Sequence, residues 1–132
     1  MTPEQSGGSD AWLSFAASDY DTARFLFENQ RPRQLEIICY HCQQAAEKAI
    51  KALYVHYDLP GGIPRKHDLS FLLNQLRNKA EIPADIRQKA DRLSAYGIVS
   101  RYPNEIEIRE EHAEQALLCA EAIIQWVQLN MN

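Results

Sequence analysis

Residues 41–57 read HCQQAAEKAIKALYVHY and carry two helical stripes at once. Small and apolar side chains recur every three or four positions, which is the spacing of the buried face of an amphipathic helix. A polar stripe runs beside them and contains Gln44, Glu47, Lys48 and Lys51. The stretch therefore predicts a helix whose polar face is either a solvated surface or part of a site. In the solvated case Glu47 and Lys51 form an ordinary i,i+4 ion pair.

Two long helices are predicted in the N-terminal half of the chain. The second of them, residues 33–57, contains the opening stretch and ends before residues 59–64, where two prolines and two glycines cannot continue a helix cheaply. The first covers residues 10–30 and stops before the Arg31-Pro32 pair, since the residue before proline disfavours helical dihedrals. Its predicted inner stripe consists of aromatic and small residues: Trp12, Ala16, Tyr20, Ala23 and Phe27.

Three further helices are predicted in the C-terminal half. Asp68 is a candidate N-cap for a short leucine-rich helix, and after Pro83 a fourth helix runs to about Arg101. The fifth covers residues 108–131. Because the connections are compact, the predicted fold is all-α: an antiparallel up-and-down four-helix bundle with one additional short helix over residues 10–132. Residues 1–9, rich in Gly and Ser, are expected to form a flexible tail.

Composition and charge limit the class of function. Lys plus Arg number 14 against 18 for Asp plus Glu, and the net charge of -4 argues against broad, non-specific binding to nucleic-acid backbones. Apolar runs stay shorter than the roughly 20 residues that cross a bilayer. The N-terminus lacks the pattern of a signal peptide. The chain is therefore expected to be soluble and cytoplasmic, with no membrane association.

The sequence lacks the common catalytic and cofactor-binding signatures. It contains no GxSxG, P-loop, GxGxxG or HExxH motif. Cys39 and Cys42 resemble half of a zinc site, but no second pair of Cys or His follows at ligand spacing. Both cysteines fall on the apolar stripe of the second helix, so we expect buried, inert thiols. Neither a metal nor a cofactor is predicted.

Two short segments each allow two interpretations. Arg65, Lys66 and His67 place three potential cations beside a helix start, where free backbone N–H groups also favour anions; alternatively, this is a solvated loop in which Asp68 only caps the helix. Arg101 and its neighbour Tyr102 end the fourth helix before Pro103. Arg101 either contributes to a site or only complements the helix dipole.

The order of these motifs along the chain resembles that of the HEPN family (higher eukaryotes and prokaryotes nucleotide-binding). The resemblance rests on QQAAEKAIKAL at residues 43–53, on His67-Asp68-Leu69 at the start of the short helix, and on Arg101-Tyr102-Pro103. It covers the chain from about Trp12 to Val127. It implies an all-α bundle, commonly a homodimer, with polar groups collected at a cleft. Many small members of the family are encoded beside a minimal nucleotidyltransferase partner and form two-component, toxin–antitoxin-like systems.

Transferred residue by residue, the resemblance implies a set of ligand-binding positions: Gln44, Glu47, Lys48, Lys51, His67, Asp68, Arg101 and Tyr102. Ribonuclease members of the family carry Arg and His separated by four to six residues, a pairing that handles phosphate and protons without metal. No Arg precedes any His of this chain at that spacing. This departure counts against an enzyme of that kind.

The leading hypothesis is therefore a HEPN-like module that binds a nucleotide or RNA ligand and acts with a nucleotidyltransferase-type partner. In it, Lys48, Lys51 and Arg101 contact phosphate or an acidic surface while Tyr102 stacks on a ring. One alternative is a metal-independent endoribonuclease with a non-standard pair, in which Arg101 stabilises phosphate and His67 or His112 is the general base. Another alternative is a purely structural dimerisation domain.

Overall fold

The computed structural model describes residues 8–97 and 107–132, and those ranges contain helices and no strand. The elements are α1 (Ser9–Asn29), α2 (Leu35–His56), α3 (Leu69–Gln75), α4 (Ala84–Ser94), a 3₁₀ turn (Ala95–Gly97) and α5 (Glu110–Met131). The predicted all-α bundle, with three helices of 21 or 22 residues and a short α3, is confirmed.

Helix α2 is the centre of the bundle and contacts every other helix. Its buried face is built from small side chains, which let the neighbouring backbones approach closely. Ala45, Ala46, Ala49 and Ala52 are all completely buried. A helix that is surrounded in this way has to bury part of its polar face as well, and this burial creates the site described below.

Helix α1 packs along α2 through the predicted inner stripe. Trp12, Ala16 and Ala23 are buried, and Tyr20 and Phe27 are partly buried against the same core. Tyr20 also donates a hydrogen bond of 2.7 Å to Glu121 on α5. The stripe prediction for α1 is therefore confirmed.

Helix α3 begins at the predicted cap. The Asp68 carboxylate accepts hydrogen bonds from the backbone N–H groups of Ser70 and Phe71, so the N-cap prediction is confirmed. The inward-facing leucines of this segment are completely buried: Leu69, Leu72, Leu73 and Leu76.

Helix α4 presents Ile86, Ala90 and Leu93 to the core. Its α-helical part ends at Ser94 and continues as the 3₁₀ turn, where the sequence predicted an unbroken helix through Gly97. The predicted helix end near Arg101 lies outside the described residues. None of the described helices is both long enough and apolar enough to cross a membrane.

Three unpaired thiols lie in the core. Cys39, Cys42 and Cys119 are buried and free. Burial raises the pKa of the Cys39 thiol to about 12 and raises the pKa of Cys42 still further. A thiol that stays protonated is a poor nucleophile and metal ligand, as expected for structural cysteines.

Candidate functional site

Part of the polar stripe of α2 lies inside the protein. Within the stripe, Glu47 is 4% exposed and Lys51 is 7% exposed, and Gln43 beside it is completely buried. The interpretation of the stripe as a solvated surface is therefore wrong for Glu47 and Lys51, whereas Gln44 and Lys48 stay partly exposed. Burial of a carboxylate and an ammonium group is costly unless each is paired, so these side chains need partners.

The buried residues form a connected network with the loop before α3, which we call the Glu47 cluster: Gln43, Gln44, Glu47, Lys51 and His67. Lys51 Nζ donates to Glu47 Oε2 at 3.0 Å. Gln43 Nε2 donates to Glu47 Oε1 and to the carbonyl oxygen of His67, both at 3.2 Å. Gln43 Oε1 accepts from Gln44 Nε2 at 2.8 Å. The carboxylate of Glu47 is thus surrounded by donors.

His67 is the most exposed member of the Glu47 cluster. Its Nδ1 atom lies 3.0 Å from Glu47 Oε1 and 3.2 Å from Oε2, while 74% of its side chain is exposed. Because an ionised carboxylate only accepts hydrogen bonds, we assign the proton to Nδ1. The ring nitrogen without a partner in the cluster is then Nε2, whose lone pair can accept a hydrogen bond.

Gly97 closes the cluster from the side of the 3₁₀ turn. A Cβ atom at this position would lie 3.3 Å from Cδ of the Gln43 side chain, closer than most side-chain contacts. The absence of a side chain at Gly97 therefore allows the turn to approach Gln43. In the sequence, Gly97 precedes Arg101 and Tyr102 by four and five residues.

A second polar group joins α1 to α2, and we call it the Asp19 group: Asp19, His41 and Lys48. Lys48 Nζ donates to Asp19 Oδ2 at 2.6 Å, and His41 Nδ1 lies 3.2 Å from Asp19 Oδ1. The three side chains are partly enclosed, with exposed fractions of 16% for Asp19, 29% for His41 and 26% for Lys48. Lys48 is therefore already engaged by a carboxylate.

The loop before α3 carries exposed cations. Arg65, Lys66 and His67 are all exposed, and Lys66 Nζ lies 5.9 Å from the centre of the Phe71 ring. The backbone N–H groups at the start of α3 already have side-chain acceptors. Asp68 accepts from two of these groups, and Ser94 Oγ accepts from the N–H of Leu69 at 3.2 Å. Any attraction for anions here comes from side chains.

The predicted site residues fall into four sets. Gln44, Glu47, Lys51 and His67 come together in the Glu47 cluster. Lys48 belongs to the Asp19 group, and Asp68 is engaged in capping. Arg101 and Tyr102 lie outside the described residues.

His112, the other candidate general base, has a structural task at the start of α5. Its Nδ1 atom accepts a hydrogen bond of 2.8 Å from the backbone N–H of Arg109. This bond occupies the lone pair that a base would use and leaves the ring proton on Nε2. His112 is therefore a helix-capping residue in this structure.

Sequence reasoning missed three members of the site. Gln43 lay beside the polar stripe without a predicted role, and Asp19 and His41 were not among the predicted site residues. A signal for Gln43 was its i,i+4 spacing to Glu47, which continues to Lys51. No local sequence pattern pointed to Asp19, because its partners lie 22 and 29 residues away along the chain.

Within residues 8–97 and 107–132, no three His, Cys, Asp or Glu side chains come together in a way that could hold a metal ion. The two groups are suited to binding a ligand, because each presents an imidazole whose Nδ1 atom is held by a carboxylate. Glu47 and Lys51 lie on the arc of α2 that is turned away from its alanine face, whereas His41 and Lys48 lie at the edge of that face.

Comparisons with known proteins identify relatives of the whole bundle. A family model described as HEPN domain matches residues 9–130. Among solved structures, the chain is similar to TT1696 from Thermus thermophilus, with 26% identity and a TM-score of 0.80 over 92% of this chain and 97% of that one. It is also similar to ST0689, an archaeal HEPN homologue, with 29% identity and a TM-score of 0.75 over 95% and 98% of the two chains. No curated protein matches the chain.

Proposed function

The chain belongs to the HEPN domain family, and from that premise we propose that it is a binding module for a phosphate-bearing ligand of the nucleotide class. The supporting observation is the exposed imidazole of His67, which the buried carboxylate of Glu47 holds beside the exposed Arg65 and Lys66. These three side chains form a small basic edge on an acidic protein. Such an edge selects a compact anion and does not attract nucleic acid in general.

The Glu47 cluster supports this role by fixing the position of the basic edge. Glu47 and Lys51 neutralise each other, so the buried part adds no net charge. Glu47 contacts the ring of His67, and Gln43 donates a hydrogen bond to its carbonyl oxygen, so that His67 is held at two points. A binding group whose position is fixed before the ligand arrives loses less entropy on binding.

Binding is favoured over catalysis because the other candidate side chains already have partners. Lys48 and Lys51 are paired to carboxylates, and His112 caps α5. The Arg and His spacing of the ribonuclease members is also absent from the sequence. Arg101 and Tyr102, which follow Gly97 in the chain, remain proposed contacts for phosphate and for the ring of the ligand.

The proposed assembly is a homodimer that acts with a minimal nucleotidyltransferase in a two-component, toxin–antitoxin-like system. This part of the proposal rests on the family resemblance. Its test is co-expression with a nucleotidyltransferase encoded beside this chain, followed by size-exclusion chromatography with light scattering. Co-elution at a defined ratio supports the pairing, and separate elution of a homodimer and the transferase contradicts it.

The binding proposal is tested by titration calorimetry of the purified chain with AMP and ATP at low salt. His67→Ala and Lys66→Ala should each weaken binding several-fold, because each removes a potential cation from the basic edge. Arg24→Ala is the matched control, since it removes an exposed cation of α1 that pairs only with Glu28 among the described residues. Equal affinities for the wild type and both variants would rule out the basic edge as the site.

A second candidate function, a metal-independent endoribonuclease, is favoured by one specific observation. A carboxylate-held imidazole whose Nε2 has no partner in the Glu47 cluster is also the geometry of a general base. The test is cleavage of end-labelled single-stranded RNA in excess EDTA by the wild type, His67→Ala and Arg101→Ala. Cleavage that either substitution abolishes would support the nuclease, and no cleavage above a mock-purified control would leave the binding module.

A further inference from the structure

A cavity of about 250 Å³ lies between α4, the 3₁₀ turn and α5. The described residues that line it are Arg92, Leu93, Tyr96, His112, Gln115 and Ala116. We infer that this cavity binds a small monocarboxylic acid with an apolar body, similar in size to benzoate. The inference goes beyond the proposed function, because none of these residues belongs to the basic edge or to the Glu47 cluster.

The inner wall of the cavity is apolar. Leu93 and Ala116 are buried members of the core, and Tyr96 is half-buried against the same core. The volume of about 250 Å³ is smaller than the roughly 300–1,000 Å³ of sites for drug-sized ligands. The space therefore suits a small ligand whose body is a ring or a short aliphatic chain.

The polar groups of the lining include three hydrogen-bond donors. Arg92 Nη1 donates to Gln115 Oε1 at 3.2 Å, and because this acceptor is neutral, the bond leaves the charge of the guanidinium group uncompensated. Nδ1 of His112 accepts from the backbone N–H of Arg109, so the ring proton lies on Nε2 and makes that atom a donor. The hydroxyl group of Tyr96 is the third donor. Such a set favours an anion.

The charge of the lining is positive although the chain as a whole has a net charge of -4. Among the described residues around the cavity, none is Asp or Glu. Burial raises the pKa of Tyr96, and the guanidinium group of Arg92 acts against this rise. The cation is therefore close enough to act on the Tyr96 hydroxyl, so both groups can reach one ligand.

A carboxylate suits these donors better than a phosphate does. The planar fork of a guanidinium group matches the two oxygen atoms of a carboxylate. One cation, Arg92, balances the single charge of a carboxylate, whereas a phosphate monoester carries about 1.5 to 2 charges at pH 7. With the carboxylate at the donors, the apolar body of the ligand is left for Leu93 and Ala116.

The experiment is an NMR titration of the ¹⁵N-labelled chain with benzoate, with benzamide as a neutral probe of the same size, and with inorganic phosphate. Benzoate should shift the amide signals of Tyr96 and Gln115 and should bind about tenfold more tightly than either other probe. Arg92→Gln should weaken benzoate binding about tenfold, because it removes a charged donor. Arg87→Gln is the matched control, since it removes the same charge from α4 at a side chain that donates to Asn74.

Several outcomes would overturn the inference. These are no binding of benzoate, equal losses of affinity in Arg92→Gln and Arg87→Gln, or binding of benzamide or phosphate as tight as that of benzoate. Displacement of benzoate by AMP would also overturn it, because the cavity would then belong to the nucleotide site. Benzoate binding that persists in His67→Ala and in excess AMP supports a separate site, whether or not AMP itself binds. Thermal unfolding of each variant shows whether a lost affinity comes from a lost fold.

Discussion

The Nζ atom of Lys51 lies 3.0 Å from Oε2 of Glu47, in a site where 9% and 6% of the two side chains are exposed. This ion pair is part of the core of the protein as well as part of its candidate site. Its two charges are tolerated there because Gln43 and His67 supply further hydrogen-bonding groups to the same carboxylate.

Removal of only one partner of this pair should be strongly destabilising. Lys51→Met leaves the buried carboxylate of Glu47 without its cation and should lower the free energy of unfolding by about 3–5 kcal/mol. The double variant Glu47→Gln with Lys51→Met removes both charges and should lose less than Lys51→Met alone. Urea unfolding of the single and double variants measures this coupling. Additive losses would show that the two side chains do not interact.

Asp68 should stabilise the start of α3 through hydrogen bonding and not through its charge. Asp68→Ala removes the acceptor for the N–H groups of Ser70 and Phe71 and should cost about 0.5–2 kcal/mol of stability. Asp68→Asn is the matched control, because asparagine caps about equally well. Thermal unfolding of both variants is the measurement, and equal losses would contradict the capping role.

A methyl group at Gly97 should destabilise the protein by crowding the Gln43 side chain. Gly97→Ala places a Cβ atom against Gln43, which its hydrogen bonds hold in place, and should cost about 1–3 kcal/mol. The cost should be smaller when Gln43→Ala has already removed the neighbouring side chain. A double-mutant cycle by urea unfolding tests this, and an unchanged cost in the Gln43→Ala background would place the strain elsewhere.

The core thiols should be unreactive in the folded protein. Burial raises the pKa of Cys39 to about 12, so almost no thiolate exists at about pH 8. Reaction with a chromogenic disulfide reagent should be slow in buffer and should reach three thiols per chain in urea. Rapid reaction of the folded protein would show that at least one thiol is accessible.

The protein should lose stability above about pH 10, the ordinary pKa of tyrosine. Burial, followed by the hydrogen bond to Glu121, raises the pKa of Tyr20 to about 12, and burial raises that of Tyr54 to about 12. Between about pH 10 and 12 the unfolded chain releases these protons before the folded one, so the free energy of unfolding falls as the pH rises. Tyr20→Phe should make this fall shallower. Identical pH profiles for wild type and variant would exclude a contribution from Tyr20.

Local patterns were sufficient to predict most of the fold. The stripe of Trp12, Ala16 and Ala23, the cap at Asp68 and the break at residues 59–64 each depend on neighbours within a few positions. The end of α4 was predicted less well, because the change to a 3₁₀ turn at Ala95 accompanies the packing of Gly97 against a side chain of α2. That contact is not visible in the local sequence.

The sequence by itself determined the helices, their apolar faces and the presence of a polar stripe on α2, since helical periodicity is a short-range property. Only the tertiary structure decided that Glu47 and Lys51 are buried, that His67 meets Glu47 across 20 residues of chain, and that Asp19 meets Lys48 across 29. The physical reason is that burial and ion pairing depend on which helices surround α2. The spacing of residues along one helix is the same whether its polar face meets water or another helix.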